Sequence, residues 1–590
     1  MTGNATGKAV RRCRVVAAID FGTYATGFAW TVVSELHESP ENRQIYSHTQ
    51  WPAAPVPYPK TRTCLLLDRD GNVVTWGHDA YCRWQELRAS NRAAGMRLVQ
   101  GFKMSLAEAA EDTDDLPSLA LNDDEPLPGE LITQYLSEVY EIAVAEIGKR
   151  GFTPDDIRWC LTVPAIWDDY QKQVMRLAAE AAGLPAEEGR LMLAYEPEAA
   201  AHYARVAGVS VLGVDGVTGP SLMAPGARFI VADCGGGTVD TTAYRSEEDG
   251  KMVEIGRVSG NKAGSYYLNR AFERRILVPR LGGPAEYQRL KHECPSAIEE
   301  LLDGWERSKL TVDMERNHPI YLALPLPLFR RLSAEAVEQL PQLQDDGIGD
   351  SIVVSATDIR EIFESVVPTI LDLVDRQLDE IRRQTDHSDR KELVLLVGGF
   401  GASPYLQQRL ARHLADRATV LCVPEPSEAV LRGAVHFAYD PHTRMRRSKH
   451  TYAIGRSIKF DPELDRGRPS TISWEGEKLC VDRVKVLVRA GDPIPSNHAV
   501  TTVAEPVHKD QRFVVTPIYR TLDRDPRYST DAGCVKVGEI VTDLDDTMQL
   551  HIRDRRTKTK LSFGETEISA VVTLLSTKEQ QDATLEFHAL

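Results

Sequence analysis

Residues 231–238 read VADCGGGT. An apolar run ends in Asp233, and Gly235, Gly236, Gly237 and Thr238 follow it. This is the pattern of a buried strand closed by a turn that must come very close to something. Residues 15–23, VVAAIDFGT, repeat it in shorter form with Asp20, Gly22 and Thr23, and residues 394–401, VLLVGGFG, supply a third glycine turn. Three successive glycines give up strand and helix stability without a structural return. Three such turns, two of them opened by Asp, point to two halves gripping one phosphorylated ligand.

The residue types suit that ligand. Glycines allow backbone N–H groups to approach phosphate oxygens closely, and Thr23 and Thr238 add hydroxyl donors. Mg²⁺ takes oxygen ligands and keeps several waters, so Asp20 and Asp233 would hold it partly through water. A P-loop is excluded because GGGTVDTTAY (residues 235–244) has no lysine at the required spacing and reads on as strand. A dinucleotide fingerprint opening a helix is not present around Asp20 or Asp233.

A length of 590 residues leaves room for several domain-sized units, and a hydrophobic content of 42% supports a large core. The net charge of -16 disfavours a general nucleic-acid or anionic-membrane binder. The 9 cysteines are scattered singly, without a CxxC pair, which reads as reduced thiols in a cytoplasmic protein rather than a zinc site or disulfide framework. The N-terminal apolar run is too short for a signal peptide, and no stretch reaches the ~20 apolar residues of a membrane span.

Along the chain, residues 14–35 predict two strands joined by the first glycine turn. Residues 38–60, with five prolines, predict a loop, and CLLLDRDGNVVTWG (residues 64–77) a hairpin turned at Asp70-Gly71. Residues 110–129 predict an exposed acidic loop and 130–149 a helix. In residues 159–184, a strand and a proline break precede a helix capped by Asp168, with Tyr170, Val174, Leu177, Ala178 and Ala181 on its apolar face and Gly183 at its end. Residues 207–228 predict a loop, 265–310 and 357–384 helical stretches, and Ser403-Pro404 a further helix start. The link DPHTRMRRSKH (residues 440–450) is polar and basic and predicts an exposed connection. Beyond it, residues 484–495, 513–520, 548–554, 567–575 and 583–590 predict strands, with no helical region after them.

Motifs in a fixed order carry a family resemblance. AIDFGT, VADCGGGTVD, LTVPAIWDDYQKQVMRLAAEAAGL, AYEPEAAAHYA, WERSKL, LVLLVGGFGASPYLQ and PEPSEAVLRGAV span residues 18–435. Together they resemble the actin-like ATPase superfamily, and within it the 70-kDa heat-shock proteins; the GGFGASP form is most similar to the divergent member-12 (12A/12B) branch. The resemblance implies an α/β fold, a two-lobed actin-like ATPase with duplicated ribonuclease-H-like domains over residues 1–445, followed by a C-terminal β domain over residues 446–590. That second unit resembles a substrate-binding domain lacking its helical lid. ATP or ADP with Mg²⁺ would lie in the cleft, and the β domain would take a peptide or protein partner.

By the same resemblance Asp20 and Asp233 sit at the metal and its waters, and Gly22, Thr23, Gly235, Gly236, Gly237 and Thr238 hold phosphates. Gly264 in KAGSYY matches a third phosphate-side turn. Glu196 lies near the metal-bound water. Lys103 in LVQGFKMSL matches the family's catalytic lysine. Glu306 and Lys309 contact adenosine, with Gly398, Gly399 and Phe400 at the same end. The competing readings are bland: a solvated helix-end lysine for Lys103, a dipole-stabilised helix acid for Glu196, and a surface i,i+3 pair for Glu306 and Lys309.

Departures from the family's pattern predict weaker ATP affinity. Tyr24 replaces a threonine and crowds the phosphate pocket. Leu310 and Ala402 stand where arginines are usual, Ser427 replaces an aspartate, and the basic link replaces an acidic-leucine linker. Three functions stay open: a slow Mg-ATPase with chaperone-like partner binding, a non-catalytic nucleotide switch, and a small-molecule kinase of the same superfamily. Filament formation is a fourth.

Overall fold

The computed structural model describes residues 13–33, 40–90, 92–108, 126–187, 189–212, 217–343, 349–383, 391–440, 443–496, 498–563, 566–578, 580–582 and 585–587. The expected acidic loop at 110–129 lies almost wholly outside them.

The apolar runs become the centres of two sheets. Strand Val15–Phe21 pairs antiparallel with Ala25–Val32 and parallel with Ile157–Val163, which runs parallel with Leu191–Tyr195. Strand Arg228–Cys234 pairs antiparallel with Val239–Ser246 and parallel with Glu392–Val397, which runs parallel with Ala418–Cys422. In both cases one apolar run lies beside its hairpin partner on one edge and two parallel neighbours on the other. Strands covered on both faces are apolar without alternation, and every residue of Val15–Phe21 is buried.

The period of two still decides which core each side chain enters. Val15, Ala17 and Ile19 join a core with Tyr135, Trp159 and Met175. Ile230, Ala232 and Cys234 join another with Trp305, Phe363 and Leu406. The opposite faces, Val16 and Ala18 with Phe229 and Val231, share one core with Ala199 and Leu431. Those last two residues belong to the helices Glu196–Ala207 and Ala429–Tyr439, which lie between the sheets. The helices approach so closely at Gly433 that a Cβ there would stand 1.8 Å from Ala199 O.

From Thr443 onward every described element is a strand or a 3₁₀ turn. Thr451–Lys459 pairs with both Lys478–Val488 and Phe513–Thr521, and a second sheet holds Ala499–Ala504, Thr557–Ser562 and Ser569–Leu574. Their core contains Ile454, Val488, Ile518, Ile540, Leu561 and Val572. The molecule is thus mixed α/β with several sheets, consistent with the fold that the resemblance implies. No helix among the described residues is long and apolar enough to cross a membrane. The nine cysteines are free.

Three local expectations are corrected. The link does not hang free: Thr443–Arg447 is a strand, parallel to Met252–Glu254 and antiparallel to Pro493–Pro495. Arg446 is buried because its guanidinium chelates Glu198. The helix Asp169–Ala181 is capped by Asp168 as expected, its side chain accepting from Gln171 N, but its buried face carries Asp169, Lys172, Met175, Ala178 and Ala179. Leu177 is exposed. Lys172 pairs with Asp169 at 2.7 Å and donates to Thr566 O at 2.9 Å, so this helix meets the C-terminal strands through charges as well as through Tyr170 of the expected stripe, while Val174 packs on the N-terminal core. Residues 548–554 are turns and a 3₁₀ segment rather than a strand. There Arg555 donates to the carbonyls of Leu550, Lys509 and Met548 at 3.0, 2.8 and 2.6 Å, which fixes the backbone in a bend.

Candidate functional site

A cleft of about 450 Å³ opens where the two central strands end. The first and second glycine turns face each other across it. A Cβ on Gly237 would lie 2.3 Å from Met104 Sδ and 2.7 Å from Thr23 Oγ1, and one on Gly236 would touch the Tyr24 ring. The carbonyls of Gly235, Gly236 and Gly237 accept the N–H groups of Ser265, Tyr266 and Gly264 at 3.2, 2.8 and 3.1 Å. Because the peptides are trans, spending those carbonyls on the helix Ser265–Phe272 turns the intervening N–H groups the other way. Gly264 therefore braces the second turn from behind, and it is the one predicted site residue that does not line the cleft.

Asp20 and Asp233 each close a central strand and are 4% and 5% exposed. Asp20 accepts from Lys60 Nζ at 2.6 Å and from Thr162 Oγ1 at 3.0 Å. Burial raises the proton affinity of Asp233 far above that of an ordinary aspartate, and repulsion from Glu196, Asp240 and Asp20 adds to it. Asp240 is pushed up to about 7 by burial and by Glu196, although Thr238 and the Ile166 N–H, at 2.7 Å, bond its carboxylate.

Lys103 is not a solvated lysine. It is 3% exposed, and its ammonium donates to Phe21 O at 2.6 Å and to Glu196 Oε1 at 2.7 Å. Glu196 opens its helix. Burial raises its pKa, Lys103 opposes that rise, and the Asp20 charge adds to it. At the far end Lys309 is also buried, and donates to Glu306 Oε2 at 2.6 Å, Asn269 Oδ1 at 2.9 Å and Ser265 O at 3.2 Å. Burial lowers its pKa, against the pull of Glu306. The surface-pair reading of Glu306 and Lys309 therefore fails on the lysine's side. Tyr24 is tied into the same network, its hydroxyl accepting from Asn269 Nδ2 at 2.7 Å. Gly398, at φ 84, and Gly399 lie beside buried Phe400 on the wall of the cleft. Ser403, expected as a helix cap, makes no side-chain cap bond, and its buried Oγ has no hydrogen-bond partner among the described residues.

The donor chemistry fits a hard divalent cation. Asp20, Glu196 and Asp233 face the cleft with two ammonium groups, Lys60 and Lys103, and Asp233 carries the charge those lysines leave least compensated. No group of three or more His, Cys, Asp or Glu residues able to hold a metal occurs among the described residues. A cation here would therefore keep water or ligand oxygens in its shell.

Sequence reasoning missed Lys60, Asn269 and Asp240. Lys60 sat in the proline-rich loop. Asp240 was inside the quoted VADCGGGTVD, and its position two residues past the glycine turn was the available signal. Trp167 is buried and Tyr195 only half-buried.

Comparison with known proteins follows this geometry. Residues 225–423, which hold the second central strand and the third glycine turn, match a domain of unknown function, DUF8340. Human heat shock 70 kDa protein 12A is 26% identical, covering 97% of this chain and 91% of that protein. Human heat shock 70 kDa protein 12B is 28% identical with the same coverage. The chain resembles the member-12 branch of the heat shock 70 kDa proteins. A chaperone protein HscA homolog of Acinetobacter baylyi is 27% identical over 46% of this chain and 36% of its own length. The heat-shock-70 likeness to the member-12 proteins thus extends past the glycine turns to nearly the whole chain.

Proposed function

We propose that the cleft binds ATP and ADP with Mg²⁺, that it hydrolyses ATP slowly, and that the C-terminal strands present a peptide or protein partner site. The observation that carries this is the meeting of both aspartate-glycine turns with the buried Lys103–Glu196 pair in one cavity. In this reading residues 1–445 form two ribonuclease-H-like lobes, each built on one of the matching strand sets, and residues 446–590 form a β domain. The compartment is the cytoplasm.

Asp20 and Asp233 would hold the cation, which supplies charge neutralisation at the phosphates. Gly22, Thr23, Gly236, Gly237 and Thr238 would grip the phosphates through N–H and hydroxyl groups, Gly235 would shape the turn with its own N–H donated to Thr238 O at 3.0 Å, and Gly264 would stiffen that grip. Glu196, held by Lys103, would orient a water, and the Lys103 ammonium would offset charge that develops at the terminal phosphate. Glu306, Lys309, Gly398, Gly399 and Phe400 would form the adenosine end, with Tyr24 closing its floor. Single-turnover phosphate release tests the catalytic roles. Asp20→Asn and Thr238→Ala should each slow it at least about ten-fold, and unchanged rates in both would reject the assignment.

A second reading, a nucleotide switch without turnover, is favoured by Tyr24. Its hydroxyl is held by Asn269 beside the Glu306–Lys309 pair, so the first turn is braced where a smaller side chain would leave room. Tight ADP binding with no release above the Asp20→Asn background would select it.

A further inference from the structure

Lys60 reaches Asp20 by a route that the sheet was shaped to allow. The short strand Thr61–Arg62 pairs with Ala25 and Thr26, with Thr61 opposite Thr26. One step further in that register Lys60 comes beside Gly27, and Gly27 is itself the ladder partner of Asp20. Lysine, glycine and aspartate thus form one row across three strands. A Cβ on Gly27 would lie 2.4 Å from Pro59 O and 2.9 Å from Lys60 Cγ. The absent side chain is what lets the lysine stem cross the middle strand. Its ammonium arrives 2.6 Å from Asp20 Oδ2, with its side chain 15% exposed, on the wall of the cleft.

A buried ammonium on a strand-end carboxylate does part of what a divalent ion would do there. It neutralises Asp20, and it offers its remaining N–H donors to an anion in the cavity. We propose that Lys60 is a resident cation of this cleft, which neutralises Asp20 and binds the phosphates of a nucleoside di- or triphosphate, so that such a ligand is held with little dependence on divalent metal. This rests on the nucleotide reading above. It adds a phosphate-binding residue at a position where the ordered motifs have none.

The test is calorimetric titration of ADP into the whole chain, in Mg²⁺ and in excess EDTA, for the wild type, Lys60→Met and Lys60→Arg. Wild type should lose no more than about three-fold in affinity when Mg²⁺ is removed. Lys60→Met should lose about ten-fold or more in EDTA, the scale of one charged hydrogen bond, and should recover most of it in Mg²⁺, which takes over the neutralisation of Asp20. Lys60→Arg keeps the charge and should follow the wild type. Wild type that binds ADP in Mg²⁺ but loses it in EDTA overturns the inference and leaves the nucleotide reading intact, whatever the variants do. Equal EDTA sensitivity in wild type and folded Lys60→Met overturns it as well. ADP bound under neither condition overturns both.

Discussion

Replacing Arg446 by Met should destabilise the chain more than any exposed substitution could. Arg446 Nη2 lies 3.0 and 2.8 Å from the two oxygens of Glu198, and Nη1 lies 3.1 Å from Thr566 Oγ1. Glu198 is 1% exposed. The variant removes three hydrogen bonds and leaves a carboxylate in the interior without its cation, a loss of about 3–5 kcal/mol. Most of that loss is the unpaired charge, so Glu198→Gln in the same chain should return the deficit to about 1.5 kcal/mol or less. Urea unfolding followed by tryptophan fluorescence, with hydrogen exchange across residues 443–447, measures both effects. A loss below about 1 kcal/mol, or a double variant as unstable as the single one, would refute the argument that this pair ties the C-terminal strands to the helix Glu196–Ala207.

Three further outcomes are expected. Burial pushes Glu254 up to about 8, with Arg446 pulling it down and Glu198 pushing it up, against an ordinary value of 4.5. The folded chain therefore keeps a proton that the unfolded chain has released. That contribution is complete below pH 4.5 and is lost as pH rises through 8, at up to about 1.4 kcal/mol per pH unit. Glu254→Gln should flatten thermal stability over that window, and an unchanged slope argues against the shift. Gly433→Ala should cost at least about 3 kcal/mol, since the new methyl would meet the Ala199 backbone and neither helix can step aside; a melt within a degree or two of wild type would exclude the crossing described. Lys103→Met should slow single-turnover phosphate release by about a hundred-fold while ADP affinity in Mg²⁺ changes by a few-fold, and a loss of affinity as large as the loss of rate would move Lys103 from orienting water to holding phosphate.

What the sequence made legible was local. The glycine turns after Asp20 and Asp233 announce themselves because the signal lies within eight residues. The cap at Asp168 and the hairpin turn at Asp70-Gly71 are of the same kind. What it hid depends on distant partners. Lys60 meets Asp20 across 40 positions and Arg446 meets Glu198 across 248, and neither basic residue differs in sequence from a solvated one. The helix Asp169–Ala181 misled for a related reason. Its periodicity offered an apolar stripe through Leu177, but the surface it meets presents Thr566 O and Tyr452 Oη, so the charged face is the buried one. Strand Thr557–Ser562, TKTKLS, alternates buried and exposed residues through threonines, a pattern that a search for apolar residues passes over.

A single ladder runs from the strand of Asp233 through Val239–Ser246 and Met252–Glu254 to Thr443–Arg447. The polypeptide that leaves the last crossing helix is woven into this fabric from Thr443 on. It carries load instead of slack. Any tilt of the sheet that holds Asp233 is transmitted to residues beyond 450 as the push of a rod, and a mechanical pull on the C-terminal strands must tear a sheet before it can straighten a tether.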